Sequence, residues 1–196
     1  LDNKKRSSTK NVAIIGAGFF GLLMAQILCK SLPGTRITVI DRNKFKLDVA
    51  SKYGSDVMLL KSADEWQAFI DKNVFENVIE ATGDPQAFKY SIQMTAHGGK
   101  VLWMGNITND LSLPKMLVSS ILRKEISILG IWNSIYKRDK PDDWKKAITL
   151  IQQGIRPGEL VTHWVTLEDV PEVLKKLYQH KTGEKPFESI KVMVRN

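Results

Sequence analysis

The sequence predicts a doubly wound α/β fold of Rossmann type, with a six-stranded parallel sheet followed by a C-terminal return segment. Three observations predict it. Short runs rich in Val and Ile alternate with longer amphipathic stretches between residues 12 and 132, which is the rhythm of βαβ units. The first run passes directly into Gly16-Ala17-Gly18-Phe19-Phe20-Gly21, a glycine turn between a strand and a helix. The second run closes on an acid, Asp41. The chain has 196 residues, 43% hydrophobic and 26% charged. That length fits one large domain or one domain plus an extension, and that composition excludes wholesale disorder and collagen-like structure.

Each element has its own reason. Residues 1–10 are polar and charged and read as a lead-in or linker. Residues 12–15 (VAII) form the first strand, and 19–31 a helix stopped by Pro33-Gly34. Residues 36–41 (RITVID) are the second strand. A helix over 43–53 follows, with Asn43 as N-cap and Gly54 as its terminating glycine. Residues 56–60 are the third strand, and 63–73 a helix with Trp66, Phe69 and Ile70 at i, i+3, i+4. Residues 77–83 (NVIEATG) are the fourth strand, ahead of a helix over 85–96 with Pro85 in its first turn. Residues 100–105 are the fifth strand, 114–124 a helix and 126–132 the sixth strand. The rhythm then changes. A charged loop (137–143) precedes a helix over 144–153, a strand over 160–166, a helix over 168–179 and a last strand over 190–194. The domain reading is a lead-in (1–10), a nucleotide-binding domain (11–159) and a C-terminal segment (160–196).

Residues 12–29 form an apolar run broken only by Gln26, preceded by basic residues, which superficially suggests a membrane span. Gly16, Gly18 and Gly21 argue against one, because a continuous helix would suffer the glycine penalty three times. The run divides instead into a strand, a turn and a helix. The net charge is +8, with Lys4, Lys5, Arg6 and Lys10 set against Asp2 in the lead-in. Such a balance favours anionic ligands only through a long-range field. A single cysteine excludes an internal disulfide and Cys-rich zinc modules, and fits a cytoplasmic protein.

The glycine motif carries the chemistry. Gly16 permits the tight turn, Gly18 lets backbone approach a pyrophosphate, and Gly21 allows close helix–strand packing. The helix N-terminus offers N–H groups and positive dipole density to phosphates. Asp41 lies twenty residues beyond Gly21, where a carboxylate accepts from both adenosine ribose hydroxyls and repels a 2′-phosphate, so NAD is expected over NADP. Arg42 argues the other way, since an arginine there accommodates a 2′-phosphate. A methyltransferase also uses a glycine turn and an acid, but with a single residue between its second and third glycines, where this chain has two.

Beyond the motif, VAIIGAGFFGLL, VIDRNKFKLDVASKYGSD, NVIEATGDPQAF, GGKVLWMGN and LRKEISILGIWN occur in an order and spacing that resemble the cofactor-binding half of the zinc-containing medium-chain alcohol and polyol dehydrogenases. The likeness runs from Asn11 to the C-terminus. The stretch ILRKEISILGIWNSIY and the later DDWKKAI look most like sorbitol and galactitol-1-phosphate dehydrogenases. The resemblance implies roles. Gly16, Gly18 and Gly21 would cradle the pyrophosphate, with backbone donors at Phe19 and Phe20. Asp41 and Arg42 lie at the adenosine ribose, with Lys46 beside it. Thr82 and Gly83 end the fourth strand over the cofactor, and Met104 and Gly105 end the fifth. Ile131, Trp132 and Asn133 would hold the nicotinamide carboxamide through backbone groups.

The resemblance also implies what this chain lacks. In the family, zinc is bound by an N-terminal barrel-like domain, where it polarises the substrate hydroxyl before hydride passes to nicotinamide. No such ligand pattern occurs here. Cys29 lies within the first helix and reads as a small buried hydrophobe, and His97, His163 and His180 are too widely spaced for a metal site. No catalytic residue and no metal ligand is therefore assigned. Leu1 in place of Met reads as a fragment or processed product, with residues 160–196 expected to pack on the missing domain. The expected activity is that of a NAD-dependent alcohol or polyol dehydrogenase whose isolated chain binds cofactor without turnover. The alternative is a non-catalytic NAD(H)-sensing or regulatory module. A homodimer through residues 111–130 is expected from the family. Trp132, Tyr136, Lys137, Arg138, Lys140, Trp144, Lys145 and Lys146 mix aromatic and basic character without any nucleic-acid motif. Neither a nucleic acid nor a membrane is expected as partner.

Overall fold

The computed structural model describes residues 11–138 and 142–195. The predicted lead-in lies outside the described residues, as do positions 139–141 of the charged loop. Contacts group the chain into two compact units, one ending at Trp144 and one starting at Lys145. In order the elements are β1 (Asn11–Ile15), α1 (Phe19–Ser31), β2 (Arg36–Asp41), α2 (Lys44–Ser51), β3 (Asp56–Leu59), α3 (Ala63–Ile70), β4 (Phe75–Glu80), α4 (Pro85–Gln93), β5 (Thr95–Trp103), α5 (Lys115–Arg123), β6 (Ser127–Gly130), α6 (Asp143–Gln152), β7 (Val161–Val165), α7 (Val170–Thr182) and β8 (Lys191–Val194).

The first unit is the predicted six-stranded sheet, ordered β3-β2-β1-β4-β5-β6, with every neighbouring pair parallel. Strands of such a sheet are covered on both faces, so they read as continuous apolar runs. Residues 12–15 of β1 are buried accordingly, as are Val39 and Ile40 of β2. One face carries Ala13, Ile15, Ile40 and Val78 against Phe69, Tyr90 and Met94, with Trp66 stacked on Tyr90 at 4.6 Å. The helix register read from Trp66, Phe69 and Ile70 therefore faces the core. Farther along the sheet, Val101 packs with Phe88, Ile92, Leu117 and Ile126. Because β1 lies between β2 and β4, the strand order reverses there, and ligands of doubly wound sheets bind beyond the carboxyl ends of the strands at such a point.

Local chemistry sets the element ends. Asn43 caps α2 by accepting from Lys46 N at 3.4 Å, and Gly54 takes φ +87° as the terminating glycine. Ser62 and Glu65 form a capping box on α3. That helix closes at Ile70, earlier than periodicity suggests, because the Asn73 side chain donates to Phe69 O at 2.8 Å. α4 also stops early. Lys124 Nζ donates to Gln93 O at 2.9 Å and to Thr95 O at 3.0 Å, and Phe75 N donates to Met94 O at 2.8 Å. The fourth strand closes at Glu80 rather than at residue 83, for a reason that belongs to the site.

In the second unit β7 and β8 pair in parallel, Val161 opposite Lys191 and Val165 opposite Val194. Thr162 ties them, its hydroxyl donating to Lys191 O and accepting from Ile190 N, each at 3.1 Å. The connecting helix α7 ends on Gly183 at φ +81°. No helix of the described residues is long and apolar enough to cross a membrane, and residues 12–29 divide into β1, the glycine turn and α1.

Candidate functional site

The glycine turn leaves β1 at the strand-order reversal, and its three glycines answer different demands. Gly16 is buried at φ +101°, donates to Ile40 O at 2.8 Å, and has no room for a side chain: a Cβ would lie 2.6 Å from Thr82 Cγ2. Gly21 sits where α1 crosses the turn, and a Cβ there would lie 1.9 Å from Gly16 O. Gly18 differs from both. Its φ is −71°, a value any residue adopts, and a Cβ would meet nothing within 4 Å. Neither packing nor backbone geometry within the chain calls for glycine at position 18, so the turn keeps an open cradle there. α1 begins without a side-chain cap and without an acid in its first turn. The first-turn N–H groups of a helix have no intrahelical partner and carry the positive end of the dipole. Phe19 is half-buried and Phe20 is 65% exposed, their rings edge-to-face at 5.6 Å.

Asp41 joins the turn to the end of β2. Its Oδ2 accepts from Ala17 N at 2.6 Å and its Oδ1 from Asn43 N at 2.8 Å. A carboxylate has about four acceptor positions, so both oxygens keep capacity for further donors while the backbone bonds hold them at the end of β2. Arg42 beside it is exposed and Lys46 is half-buried on α2.

Thr82 and Gly83 follow β4 instead of ending it. The Glu80 carboxylate is fully buried and draws Thr82 and Gly83 into a turn. Its Oε1 accepts from Thr82 N at 2.7 Å, Thr82 Oγ1 at 2.5 Å and Gly83 N at 3.1 Å. Gly83 takes φ +75°, and a Cβ would lie 2.0 Å from Asn106 O. Met104 and Gly105 likewise lie just past β5, both donating to Glu80 O, at 2.9 and 3.1 Å. A Cβ on Gly105 would lie 2.1 Å from Gly83 N. Thr108 N donates to Gly83 O at 3.0 Å, and Trp103 Nε1 to Gly105 O at 2.6 Å.

The structure thus brings most of the predicted site residues to one edge. Gly16 meets Thr82, the turn meets Asp41 through Ala17, and Gly83 meets Gly105. Ile131, Trp132 and Asn133 lie beyond the end of β6, exposed, and linked to this edge through Ile131 N donating to Trp103 O at 2.9 Å. Sequence reasoning missed Glu80, Asn106 and Thr108. A carboxylate closing the otherwise apolar run Val78-Ile79, two residues before Thr82-Gly83, is the signal that could have found Glu80.

His163 and His180 belong to the second unit, and Cys29 and His97 stand on α1 and β5. His163 Nδ1 is 2.9 Å from Thr162 Oγ1 and its ring packs on Phe187, while His180 Nδ1 accepts from Phe187 N at 3.0 Å. His97 is exposed on β5. Cys29 is half-buried on α1, and desolvation raises its thiol pKa, which disfavours the reactive thiolate. Among the described residues no group of three or more His, Cys, Asp or Glu is placed to hold a metal ion.

A doubly wound parallel sheet with a glycine turn at its reversal point and an acid at the end of β2 defines a dinucleotide-binding type of fold. The family model for zinc-binding dehydrogenases matches residues 21–153, and the chain belongs to that family. L-threonine 3-dehydrogenase of Aeromonas salmonicida (strain A449) is 27% identical over 179 residues, covering 89% of this chain and 50% of that protein. The crystal structure of galactitol-1-phosphate dehydrogenase from Escherichia coli matches with TM-score 0.71 and 26% identity, over 91% of this chain and 52% of that one. A short chain alcohol dehydrogenase from E. coli CFT073, complexed with cofactor NADH, shares the fold with TM-score 0.76 at 20% identity, over 95% and 52%. The chain spans about half the length of the curated relatives it matches.

Proposed function

We propose that this chain is the NAD-binding half of a zinc-dependent alcohol or polyol dehydrogenase, and that alone it binds the cofactor without turning over substrate. The observation that carries the reading is Gly18: a glycine that neither packing nor φ requires, at the mouth of an uncapped helix. Such a position makes sense when a ligand's diphosphate approaches the backbone. Gly16, Gly18, Phe19, Phe20 and Gly21 would hold the pyrophosphate. Asp41 would accept from the adenosine ribose, with Arg42 and Lys46 beside it. Thr82, Gly83, Met104 and Gly105 would line the nicotinamide half, and the backbone of Ile131, Trp132 and Asn133 would meet the carboxamide. When bound, the nicotinamide supplies the hydride acceptor. The residues of this chain bind it, orient it and set its charge preference.

That preference favours NAD. The Asp41 carboxylate is fixed by two backbone N–H groups and cannot swing away from a 2′-phosphate. The substrate class follows by similarity: one related structure is a galactitol-1-phosphate dehydrogenase and one relative an L-threonine 3-dehydrogenase, both acting, by their names, on hydroxyl-bearing substrates. In this reading the zinc would be held outside this chain; among the described residues no group of three or more His, Cys, Asp or Glu is placed to hold one. A homodimer through α5 and β6 is part of the same proposal. β6 is a sheet edge, and Met116 (73%), Leu122 (80%) and Leu129 (49%) are exposed there, as a face covered by a symmetric copy would be.

Calorimetric titration of the chain with NADH and NADPH, for the wild type and Asp41→Ala, tests the reading. The wild type should bind NADH more tightly, and the variant should narrow the ratio. An unchanged ratio would remove Asp41 from its role. Steady alcohol oxidation by the chain alone would refute binding without turnover.

A further inference from the structure

Resting on that reading of the glycine turn, we propose that Glu80 is a positioning residue for the nicotinamide half of the site, acting through the Thr82-Gly83 turn. The carboxylate is fully exposed to the protein interior and not at all to solvent. A buried carboxylate with no compensation is costly, and as mere core filling an apolar side chain of similar volume serves as well or better. This one is compensated in a directed way. Three donors from two consecutive residues converge on Oε1: Thr82 N, Thr82 Oγ1 and Gly83 N.

The consequence for Thr82 is specific. Its hydroxyl proton is committed to Glu80, and its oxygen accepts from Asp84 N at 3.0 Å. Thr82 is an exposed residue whose hydroxyl is turned inward, so its methyl Cγ2 is held against Gly16, the first residue of the cradle. The Gly83 carbonyl is in turn presented to Thr108 N, and the backbone oxygen of Glu80 itself takes Met104 N and Gly105 N. One residue thereby sets the exits of β4 and β5 together. Gly105 has no side chain where Oε2 stands: a Cβ would lie 2.5 Å from that oxygen. In a doubly wound sheet β4 to β6 belong to the second mononucleotide half, and β1 to β3, with Asp41, to the first. Glu80 should therefore affect the nicotinamide half of the dinucleotide much more than the adenosine half.

Glu80→Gln tests this in the full chain. Glutamine keeps the size and one acceptor, but places N–H donors opposite Gly83 N, which lies 3.4 Å from Oε2. NADH affinity is measured by fluorescence titration and AMP affinity by ligand-observed NMR, at a temperature where circular dichroism shows the variant folded. NADH binding should weaken at least tenfold, while AMP affinity stays within twofold. If Glu80→Gln does not fold, Thr82→Val decides: it keeps the methyl against Gly16, loses the donor, and should show the same selective loss. Unchanged NADH affinity, or equal losses for NADH and AMP, would overturn the proposal while leaving the site reading intact. A wild-type chain that binds no NADH would overturn both.

Discussion

Replacing Gly18 with alanine adds one methyl group at a position where the chain itself offers no obstacle. The backbone angles there, φ −71° and ψ −177°, are open to alanine, and the new Cβ would find nothing within 4 Å. Two small terms act on stability. Alanine is the poorer N-cap, costing about 1 kcal/mol. It also restricts the unfolded chain, recovering about 0.4–1 kcal/mol. They nearly cancel, so the urea midpoint should barely move. Ligand binding should behave otherwise, because the methyl stands where a diphosphate would reach the backbone. A tenfold or greater loss of NADH affinity is expected, about 1.4 kcal/mol. Gly21→Ala makes the contrast: its Cβ would stand 1.9 Å from Gly16 O, and overpacking of this kind costs about 1–3 kcal/mol. The assay pairs urea unfolding with NADH titration on both variants. A Gly18→Ala protein that binds NADH like the wild type, or that loses more than about 2 kcal/mol of stability, would show that Gly18 is not an open seat for a diphosphate.

Other expectations follow from the same structure. Gly83→Ala combines φ +75° with a Cβ 2.0 Å from Asn106 O, so it should lower the urea midpoint and NADH affinity together; loss of neither would show that the β4–β5 contact yields easily. Glu65 accepts backbone hydrogen bonds from Lys61 and Ser62, which lower its pKa. Stability from a lowered carboxylate is present above its unfolded value and is lost as pH falls through the folded one. Glu65→Gln should therefore be the less stable protein at neutral pH and equal to the wild type in acid, read from thermal midpoints across pH; a difference independent of pH would contradict the assignment. Sedimentation at micromolar concentration should give a dimer mass, and Leu122→Glu should shift it toward monomer. A monomeric wild type would count against the α5–β6 interface.

The parts of the fold that depend on local pattern were legible in the sequence. α1 and β2 begin and end where glycine, proline and Asp41 place them, and the six strands of the main sheet follow one another along the chain as expected. What was not legible depends on partners distant in sequence. Lys124 closes α4 across 31 positions, and Phe75 takes Met94 O out of the helix, which no window of neighbouring residues reports. The same holds at the site. Gly16, Gly21 and Asp41 announce themselves by spacing, but Glu80 is hidden inside an apolar run, where its polar side chain is explained only by the turn that follows β4. Asn106 and Thr108 have no motif at all, and matter through contacts with Gly83.

The most direct measurement is a crystal structure of the chain grown with NADH. Electron density is expected for a diphosphate over Gly18, within hydrogen-bonding distance of the first-turn N–H groups of α1, and for an adenosine ribose on Asp41. Density for the nucleotide elsewhere, or a cradle closed by the Phe20 side chain with no nucleotide bound, would contradict it.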